Sequence, residues 1–322
     1  MAGIIVAGGA GFIGSNLCQK LLDQNFNVIC VDNLLTGNKN NIEEFLKNPN
    51  FKFIEKDITQ TDLESEIKEK IDFIFHLASP ASPNKRSEKS YINYPIETLL
   101  VNSLGTYNLL EFSKRHGSRF LFASSSEIYG DPAVSPQPEN YFGNVNPVGV
   151  RSVYDEGKRF GESISIAYAR KFNVDTRVVR IFNTFGPKMR IDDGRVISNF
   201  ITQAISKKPI TVYGEGQQTR SFCYVSDMVN ALVKAMFSDK VKGEAVNIGN
   251  PDERKIIDMA NIIKEMTVSG SKIVHEELPE DDPKSRKPDI KKAETLLSWK
   301  PEVNLEQGLK KTIEYFKTIA IE

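Results

Sequence analysis

Tyr154 and Lys158 are the residues whose types and spacing most directly suggest chemistry. They stand four residues apart in the segment VYDEGKRF, and on a helix this spacing places both side chains on one face, one turn apart. A tyrosine phenol has a pKa of about 10 and is a weak base at neutral pH. We expect the nearby ammonium of Lys158 to lower that pKa, so that the pair takes a proton from an alcohol near pH 7.

The composition excludes several broad classes of protein. The chain has 322 residues, enough for one large domain or two, and its 42 Lys and Arg balance its 42 Asp and Glu. This gives no bulk electrostatic reason to bind nucleic acid or an anionic membrane. The cysteines, Cys18, Cys30 and Cys223, are odd in number and far apart, so we expect neither disulfides nor a metal site. With no basic leader and no apolar run of about 18 residues, we expect a soluble cytoplasmic protein.

A glycine-rich turn opens the chain and predicts a dinucleotide site. The strand-like segment GIIVA is followed by GGAGFIG, with glycines at 8, 11 and 14, and then by a helical pattern. Such glycines let the backbone approach a pyrophosphate at a helix N-terminus. The next strand ends in Asp32, whose carboxylate suits a ribose hydroxyl and repels a 2′-phosphate, so we expect NAD rather than NADP. The predicted cofactor-binding residues are Gly8, Gly11, Phe12, Ile13, Gly14, Asp32, Asn33, Asp57, Ile58, Leu77, Ala78 and Ser79. Asp57 has two interpretations, as an adenine contact or as a turn residue at the end of a strand.

Strands and helices continue to alternate along the chain. We predict strands at 3–7, 27–32, 51–57, 71–79, 119–126 and 175–183, and a long helix at 93–116. This order is typical of an α/β protein with a Rossmann-type, doubly wound parallel sheet. Shorter elements follow, and we predict an NAD-binding domain at 1–180 and a smaller α/β nucleotide-sugar domain at 181–322. Segments near 222–249 are expected to return to the first domain.

A polar cluster, ASSSEIYG, follows the predicted fifth strand. In a doubly wound sheet this carboxyl end of a strand is where ligands bind. Ser125 can hydrogen-bond the hydroxyl that Tyr154 deprotonates, and Glu127 adds a carboxylate beside it. Serine-rich strand ends are also common in proteins where they have no function. The cluster therefore indicates a functional site only together with the motifs around it.

Together these motifs resemble the extended short-chain dehydrogenase/reductase family, whose members act on nucleotide sugars. The resemblance rests on GGAGFIG, the serine cluster and YDEGK, and it spans nearly the whole chain. It implies that Ser125, Tyr154 and Lys158 form a catalytic triad, that Lys158 also holds the nicotinamide ribose, and that NAD is retained. It further implies a homodimer in which the helix carrying YDEGK and the long helix before it form a four-helix bundle.

Longer strings resemble the UDP-glucuronate decarboxylases, a branch of that family that makes UDP-xylose. They include HLASPASP, SSSEIYGDP, NPVGVRSVYDEGKR and TVYGEGQQTRSFCYVSD. The residues that this resemblance places around the substrate are Asn183, Arg190, Arg220 and Arg286 at the diphosphate, Asp289 at the ribose, Asn199 and Phe200 at the base, and Tyr213 and Gln218 in the pocket wall. The planar fork of arginine suits phosphate. Two of these residues, Arg286 and Asp289, lie in the segment 278–289, whose prolines and charges predict an irregular loop.

Ser126 and Glu127 separate this chain from two related activities. Related 4,6-dehydratases carry an Asp where Ser126 stands, and that Asp protonates the departing 6-hydroxyl. Without it, water elimination is disfavoured. Simple 4-epimerases usually lack the acid that Glu127 provides.

One segment departs from the decarboxylase pattern. The segment that follows HLASPASP, residues 84–95 (NKRSEKSYINYP, the inserted loop), is longer than the corresponding segment in those enzymes. It carries four charged residues. The favoured interpretation is a solvated surface insertion. The alternative is an altered sugar pocket, which places glucuronate in question.

Three functions remain open on the sequence. The first is decarboxylation of UDP-glucuronate with NAD recycled in each turnover. The second is C4 oxidation or epimerisation of another nucleotide sugar, such as a GDP- or dTDP-hexose or heptose, in surface polysaccharide synthesis. The third is a non-catalytic NAD(H) sensor or binding protein, which the intact Ser125, Tyr154 and Lys158 argue against.

Overall fold

The computed structural model of the chain describes residues 2–60, 63–278 and 285–320. The strands are β1 Gly3–Ala7, β2 Asn27–Asp32, β3 Phe51–Glu55, β4 Phe73–His76, β5 Arg119–Ser125, β6 Thr176–Ile181, β7 Thr184–Phe185, β8 Ile210–Tyr213, β9 Thr219–Ser221, β10 Cys223–Tyr224, β11 Ala245–Ile248, β12 Glu253–Lys255, β13 Ile273–Glu276 and β14 Ser285–Arg286. The α-helices are α1 Phe12–Asp23, α2 Leu63–Glu66, α3 Pro95–Leu100, α4 Thr106–His116, α5 Ser152–Phe172, α6 Val196–Ile205, α7 Val225–Phe237, α8 Ile256–Met266, α9 Lys291–Leu297 and α10 Leu305–Ile319. None of the helices within these ranges is both long and apolar enough to cross a membrane.

A seven-stranded parallel sheet organises the molecule. Its strand order is β11-β6-β5-β4-β1-β2-β3, and each neighbouring pair is parallel. The chain builds outward from β1 to β3, then returns to place β4 on the other side of β1. This reversal opens a crevice at the carboxyl ends of β1 and β4, the position where doubly wound sheets bind ligands. The predicted Rossmann-type fold is confirmed.

Alternating residues of the strands build a core on each face of the sheet. In β1, Ile4 and Val6 face one apolar cluster, whereas Ile5 and Ala7 face the other. The period of two in a strand produces this division. Helices cover both faces, so the sheet is held rigidly and its carboxyl edge positions the site.

Several predicted bounds were too long. β3 ends at Glu55 rather than 57, and β4 covers only Phe73–His76 rather than 71–79. The chain leaves β4 at Leu77, whose N–H still donates to Ala7 O at 2.8 Å, and then passes over the glycine turn.

The predicted helix at 93–116 is divided by a π-helical turn at Val101–Gly105. There Asn102 Nδ2 donates to Thr98 O at 2.8 Å and to Ser79 Oγ at 2.9 Å. The turn therefore ties the helix to the segment that follows β4. The predicted domain boundary near 180 stays a prediction, and β11 pairs with β6 in the main sheet.

Candidate active site

The glycine turn forms a close-fitting cradle at the start of α1. Gly8 has a φ of 81°, and a Cβ there would lie 2.6 Å from Ala78 N. A Cβ on Gly14 would lie 2.1 Å from Gly8 O. Glycine at these positions lets β1, the start of α1 and the segment after β4 meet without a side chain between them. The helix N-terminus is thereby exposed to a cavity lined by Gly8, Gly11 and Phe12, and a dinucleotide pyrophosphate fits such a site.

Asp32 is fixed beside this turn at the end of β2. One carboxylate oxygen accepts from Ala10 N at 3.0 Å and the other from Leu34 N at 2.9 Å. Burial raises the pKa of Asp32, and these two backbone N–H groups and the charge of Lys89 act against that rise. A Cβ on Gly37 would lie 2.7 Å from Asp32 Oδ1. The carboxylate therefore has one position, next to the glycine turn.

Not all predicted cofactor residues line the cavity. Of the described residues in that set, Gly8, Gly11, Phe12, Ile13, Gly14, Leu77 and Ser79 lie in its wall, whereas Asp32, Asn33, Asp57, Ile58 and Ala78 lie outside it. Asp57 Oδ1 accepts from Thr59 N at 2.8 Å, and its Oδ2 accepts from Asn33 Nδ2 at 3.0 Å. Of the two interpretations of Asp57, these contacts favour a turn residue. Ile58 is buried in the core.

One cavity of about 650 Å³ joins the cofactor cradle to the predicted substrate residues. All four predicted catalytic residues line it: Ser125, Glu127, Tyr154 and Lys158. Eight of the nine predicted substrate residues do so as well, namely Asn183, Arg190, Asn199, Phe200, Tyr213, Gln218, Arg220 and Arg286. Asp289 is the exception within the described chain. Its Oδ1 accepts from Lys291 N at 3.0 Å, just before α9. Residues 279–284 of the predicted irregular loop lie outside the described ranges.

The predicted substrate residues make polar contacts among themselves and with their neighbours. Gln218 Nε2 donates to Tyr213 O at 2.8 Å, and Asn199 Nδ2 donates to Gly194 O at 3.1 Å. Arg190 forms an ion pair of 2.6 Å with Asp192. These contacts connect the residues of the substrate side of the cavity. A bound diphosphate would compete with the Asp192 carboxylate for the guanidinium group of Arg190.

Helix α5 brings Tyr154 and Lys158 to the end of β5. The helix approaches the sheet closely because Gly161 has no side chain, and a Cβ there would lie 2.1 Å from the Phe122 ring. Lys158 Nζ donates to Ala123 O at 2.9 Å and lies 5.7 Å from the centre of the Tyr154 ring. Ser125 lies at the end of β5 and lowers the pKa of Tyr154, and all three side chains line the cavity. The three predicted triad residues therefore meet in one place.

The protonation of Tyr154 differs from the expectation. Burial raises the pKa of Tyr154 to about 12, against the lowering effects of the Arg195 charge and of the Ser125 hydrogen bond. Burial also lowers the pKa of Lys158 to about 7, with partial compensation from Glu162. Desolvation acts on both groups, because the ammonium and the phenolate share a nearly closed site. Burial therefore outweighs the proximity of Lys158 in setting the pKa of this phenol.

Glu127 lies between two arginines. Arg151 Nη2 approaches one carboxylate oxygen at 2.5 Å, and Arg286 pairs with the other. Burial by itself would raise the pKa of Glu127, but the two guanidinium charges hold it well below its usual range. Arg286 also donates to Ser126 Oγ at 3.2 Å and to Gly130 O at 3.3 Å. Arg286, which is predicted to contact the diphosphate, thus lies beside the predicted catalytic carboxylate of Glu127.

The inserted loop lines the cavity, although Lys85, Arg86 and Glu88 are also exposed. Asn84, Lys85, Arg86, Lys89, Tyr91 and Ile92 all line the cavity. Asn84 Nδ2 donates to Asp192 O at 3.1 Å, and Ser87 Oγ donates to Asp192 Oδ2 at 2.8 Å. The favoured interpretation was therefore wrong about the position of the loop, which forms part of the cavity wall. It was right about the exposure of Lys85, Arg86 and Glu88.

Sequence reasoning missed four residues of this site. Tyr91 stacks on Tyr154 with ring centres 5.1 Å apart. Arg195 lines the cavity and donates to Ala81 O at 2.7 Å, Arg151 pairs with Glu127, and Lys89 comes from the inserted loop. Of these four residues, only Arg151 had a signal in the sequence. It stands three residues before Tyr154, at the N-cap of the same helix, and this position could have indicated that it lies near the site.

Comparisons with known proteins agree with this geometry. Residues 4–249 match the model of the NAD dependent epimerase/dehydratase family. The chain is 49% identical over 314 residues to UDP-glucuronic acid decarboxylase 1 of Xenopus tropicalis, covering 98% of this chain and 72% of that protein. It superposes on UDP-glucose 4-epimerase of Thermotoga maritima, solved with UDP-glucose, with a TM-score of 0.89 and 30% identity over 99% of each chain. UDP-glucuronic acid 4-epimerase of Bacillus cereus, in complex with UDP-glucuronic acid and NAD, gives a TM-score of 0.86 and 30% identity over 98% of this chain and 99% of that one.

Proposed function

Because the chain belongs to the NAD dependent epimerase/dehydratase family, we propose that it oxidises C4 of a nucleotide sugar with bound NAD and that its substrate is UDP-glucuronate. The product is then UDP-xylose and CO₂. The observation that carries the proposal is that the glycine cradle and the Ser125, Tyr154 and Lys158 group share one cavity. A protein that only bound NAD would not need a base there.

The residues have separate tasks in this reaction. Tyr154 accepts the proton of the C4 hydroxyl, Ser125 orients that hydroxyl, and Lys158 stabilises the phenolate. The turn with Gly8, Gly11 and Gly14 would hold NAD⁺, which would supply a hydride acceptor for C4 and, once reduced, a hydride donor for the reverse step. The C4 ketone is β to the C5 carboxylate, so the C5–carboxylate bond breaks and its electron pair passes into the ketone as CO₂ leaves. A proton from solvent water adds at C5, and as hydride is restored to C4, Tyr154 returns its proton to the C4 oxygen.

Two features support glucuronate rather than another sugar. The Xenopus tropicalis relative named as a UDP-glucuronic acid decarboxylase matches 98% of this chain. Ser126 offers no carboxyl group to a departing 6-hydroxyl, and its Oγ instead accepts from Arg286. A carboxylate at C6 is thus better matched to this site than a hydroxyl that must leave as water.

A decarboxylation assay tests the proposal directly. With UDP-glucuronate, we expect CO₂ to form in proportion to product, with absorbance of reduced cofactor rising only transiently, because the hydride is returned in each turnover. Gas release and absorbance at the same time points measure this. UDP-glucose, which lacks the carboxylate, is the matched control and should release no CO₂.

Three other outcomes would change the assignment. UDP-galacturonate as product without CO₂ would indicate a 4-epimerase. Steady accumulation of reduced cofactor with a GDP- or dTDP-sugar, and no response to UDP-glucuronate, would indicate a C4 dehydrogenase for another substrate. No reaction with any nucleotide sugar would favour a sensor or binding protein.

Asp32 is expected to set the preference for NAD over NADP. Its buried carboxylate lies beside the glycine turn, where an adenosine 2′-phosphate would meet a like charge. We expect calorimetry to show tighter binding of NAD⁺ than of NADP⁺, and Asp32→Ala to narrow that difference mainly by improving NADP⁺ binding. Tighter binding of NADP⁺ by the wild type would contradict this role. Asp23→Ala, at the far end of α1, is a control.

The exposed apolar face of α3 and α4 supports a homodimer. Ile96, Leu99, Leu100, Leu104 and Tyr107 are each between 37% and 61% exposed, and α3 and α4 pack beside α5, on which Phe160 is also exposed. Such a contiguous apolar stripe on neighbouring helices is typical of an interaction surface. Two copies meeting through these helices would form the four-helix bundle.

A further inference from the structure

The inserted loop connects opposite walls of the cavity. On the substrate side it bonds to Asp192, and a Cβ on Gly194 would lie 2.1 Å from Asn84 Cβ, so the two segments pack in close contact. On the cofactor side, Lys89 Nζ donates to Gly37 O at 3.4 Å. Gly37 lies in the segment that follows β2 and packs on Asp32. The loop is therefore held at both the cofactor wall and the substrate wall.

Lys89 is the most enclosed cation of this loop. Lys85 and Arg86 are exposed, whereas Lys89 is half-buried and lines the cavity. Burial lowers the pKa of Lys89, the charge of Arg190 lowers it further, and the carboxylates of Asp192 and Asp32 oppose this. Within the described residues, Gly37 O is the one hydrogen-bond acceptor in reach of Nζ. An ammonium has three donors, so two remain for a ligand.

The surroundings of Lys89 indicate the chemistry of that ligand. Thr36 and Asn41 line the same cavity from the cofactor side, and Arg190 lines it from the substrate side. A partly desolvated ammonium with open donors, next to a second cation, suits an oxygen-rich dianion. A cavity that takes a dinucleotide and a nucleotide sugar receives two such groups, one from each molecule.

We propose that Lys89 binds a diphosphate group in this cavity, so that the inserted loop contributes a phosphate contact to the site. The proposal rests on the proposed function only in taking the ligands to be a dinucleotide and a nucleotide sugar. The longer segment at residues 84–95, which departs from the decarboxylase pattern, would then take part in ligand binding.

Lys89→Gln tests this by removing the charge and keeping much of the length of the side chain. On the holoenzyme, NADH fluorescence measures how fast bound NAD⁺ exchanges with added NADH, and calorimetry measures the affinities for UDP, GDP and dTDP. We expect about a tenfold or greater change in exchange rate or in nucleotide affinity, the size of one lost charge-assisted hydrogen bond. Lys89→Arg, which keeps the positive charge, should restore most of the wild-type exchange rate and nucleotide affinity. Lys47→Gln, which removes an exposed charge away from the cavity, should change neither the exchange rate nor the affinity.

The two readouts separate the sources of the diphosphate. Faster cofactor exchange with unchanged nucleotide binding assigns the contact to the pyrophosphate of NAD, and the reverse assigns it to the nucleotide sugar. Unchanged values for both overturn the proposal. If Lys89→Gln does not fold, Lys89→Met gives the same comparison with a similar volume. Neither readout depends on turnover, so a failure of UDP-glucuronate to release CO₂ leaves this test intact.

Discussion

Tyr154→Phe is expected to lower turnover by about 10²- to 10⁴-fold, the range of general acid–base catalysis. The change removes one oxygen and keeps the ring that stacks on Tyr91, so the shape of the cavity is retained. Affinity for UDP and the retention of NAD should change little, because the phenol acts on the C4 hydroxyl rather than on either diphosphate. Initial rates of CO₂ release, with UDP binding measured on the same preparations, give both quantities.

Tyr91→Phe is the matched control for this prediction. It removes the same atom from the neighbouring ring, and the Tyr91 hydroxyl is buried without a hydrogen-bond partner among the described residues. We expect turnover of this variant close to that of the wild type. If Tyr154→Phe stays within a few-fold of wild type, or if Tyr91→Phe loses as much activity, the C4 proton is taken by another group.

The parts of the site that the sequence predicted are those encoded by short-range spacing. The glycines at 8, 11 and 14 belong to one strand–turn–helix unit, formed by β1 and α1. Tyr154 and Lys158 lie four residues apart on one helix, α5. Local spacing decides which side chains share a face in such units. For this reason the turn and the shared helix face of Tyr154 and Lys158 could be predicted before any tertiary contact was known, whereas the place of Ser125 in a triad followed from the family resemblance.

The remaining features depend on contacts between distant segments and on burial. Arg286 reaches Glu127 across 159 positions of sequence, because β14 pairs with β9 on the substrate side. The charges of the inserted loop resemble those of a surface loop, whereas its contacts with Asp192 come from the uncharged Asn84 and Ser87. The pKa of Tyr154 depends on the depth of its burial, which the spacing from Lys158 does not encode.

Glu127→Gln is expected to destabilise the fold by about 3 kcal/mol at pH 7, the scale of breaking a buried ion pair. The substitution removes the negative charge that lies between Arg151 and Arg286, and the cost arises because the remaining charges lose this partner. The side chain keeps its size, so packing is preserved. Urea unfolding at fixed pH measures the loss. Glu55→Gln, at an exposed position on β3, is the control and should cost little.

The pH dependence of that loss identifies its electrostatic origin. The pKa of Glu127 is held below its ordinary value of 4.5 in the folded chain. Its contribution to stability is therefore fully present above about pH 4.5. As the pH falls below that value, the unfolded chain takes up a proton that the folded chain does not, and the contribution diminishes. The difference in unfolding free energy between wild type and Glu127→Gln should consequently shrink from pH 7 to pH 3.5. A difference that stayed constant over this range would mean that the substitution disturbs packing, and that the charge of Glu127 between its two arginines contributes nothing measurable.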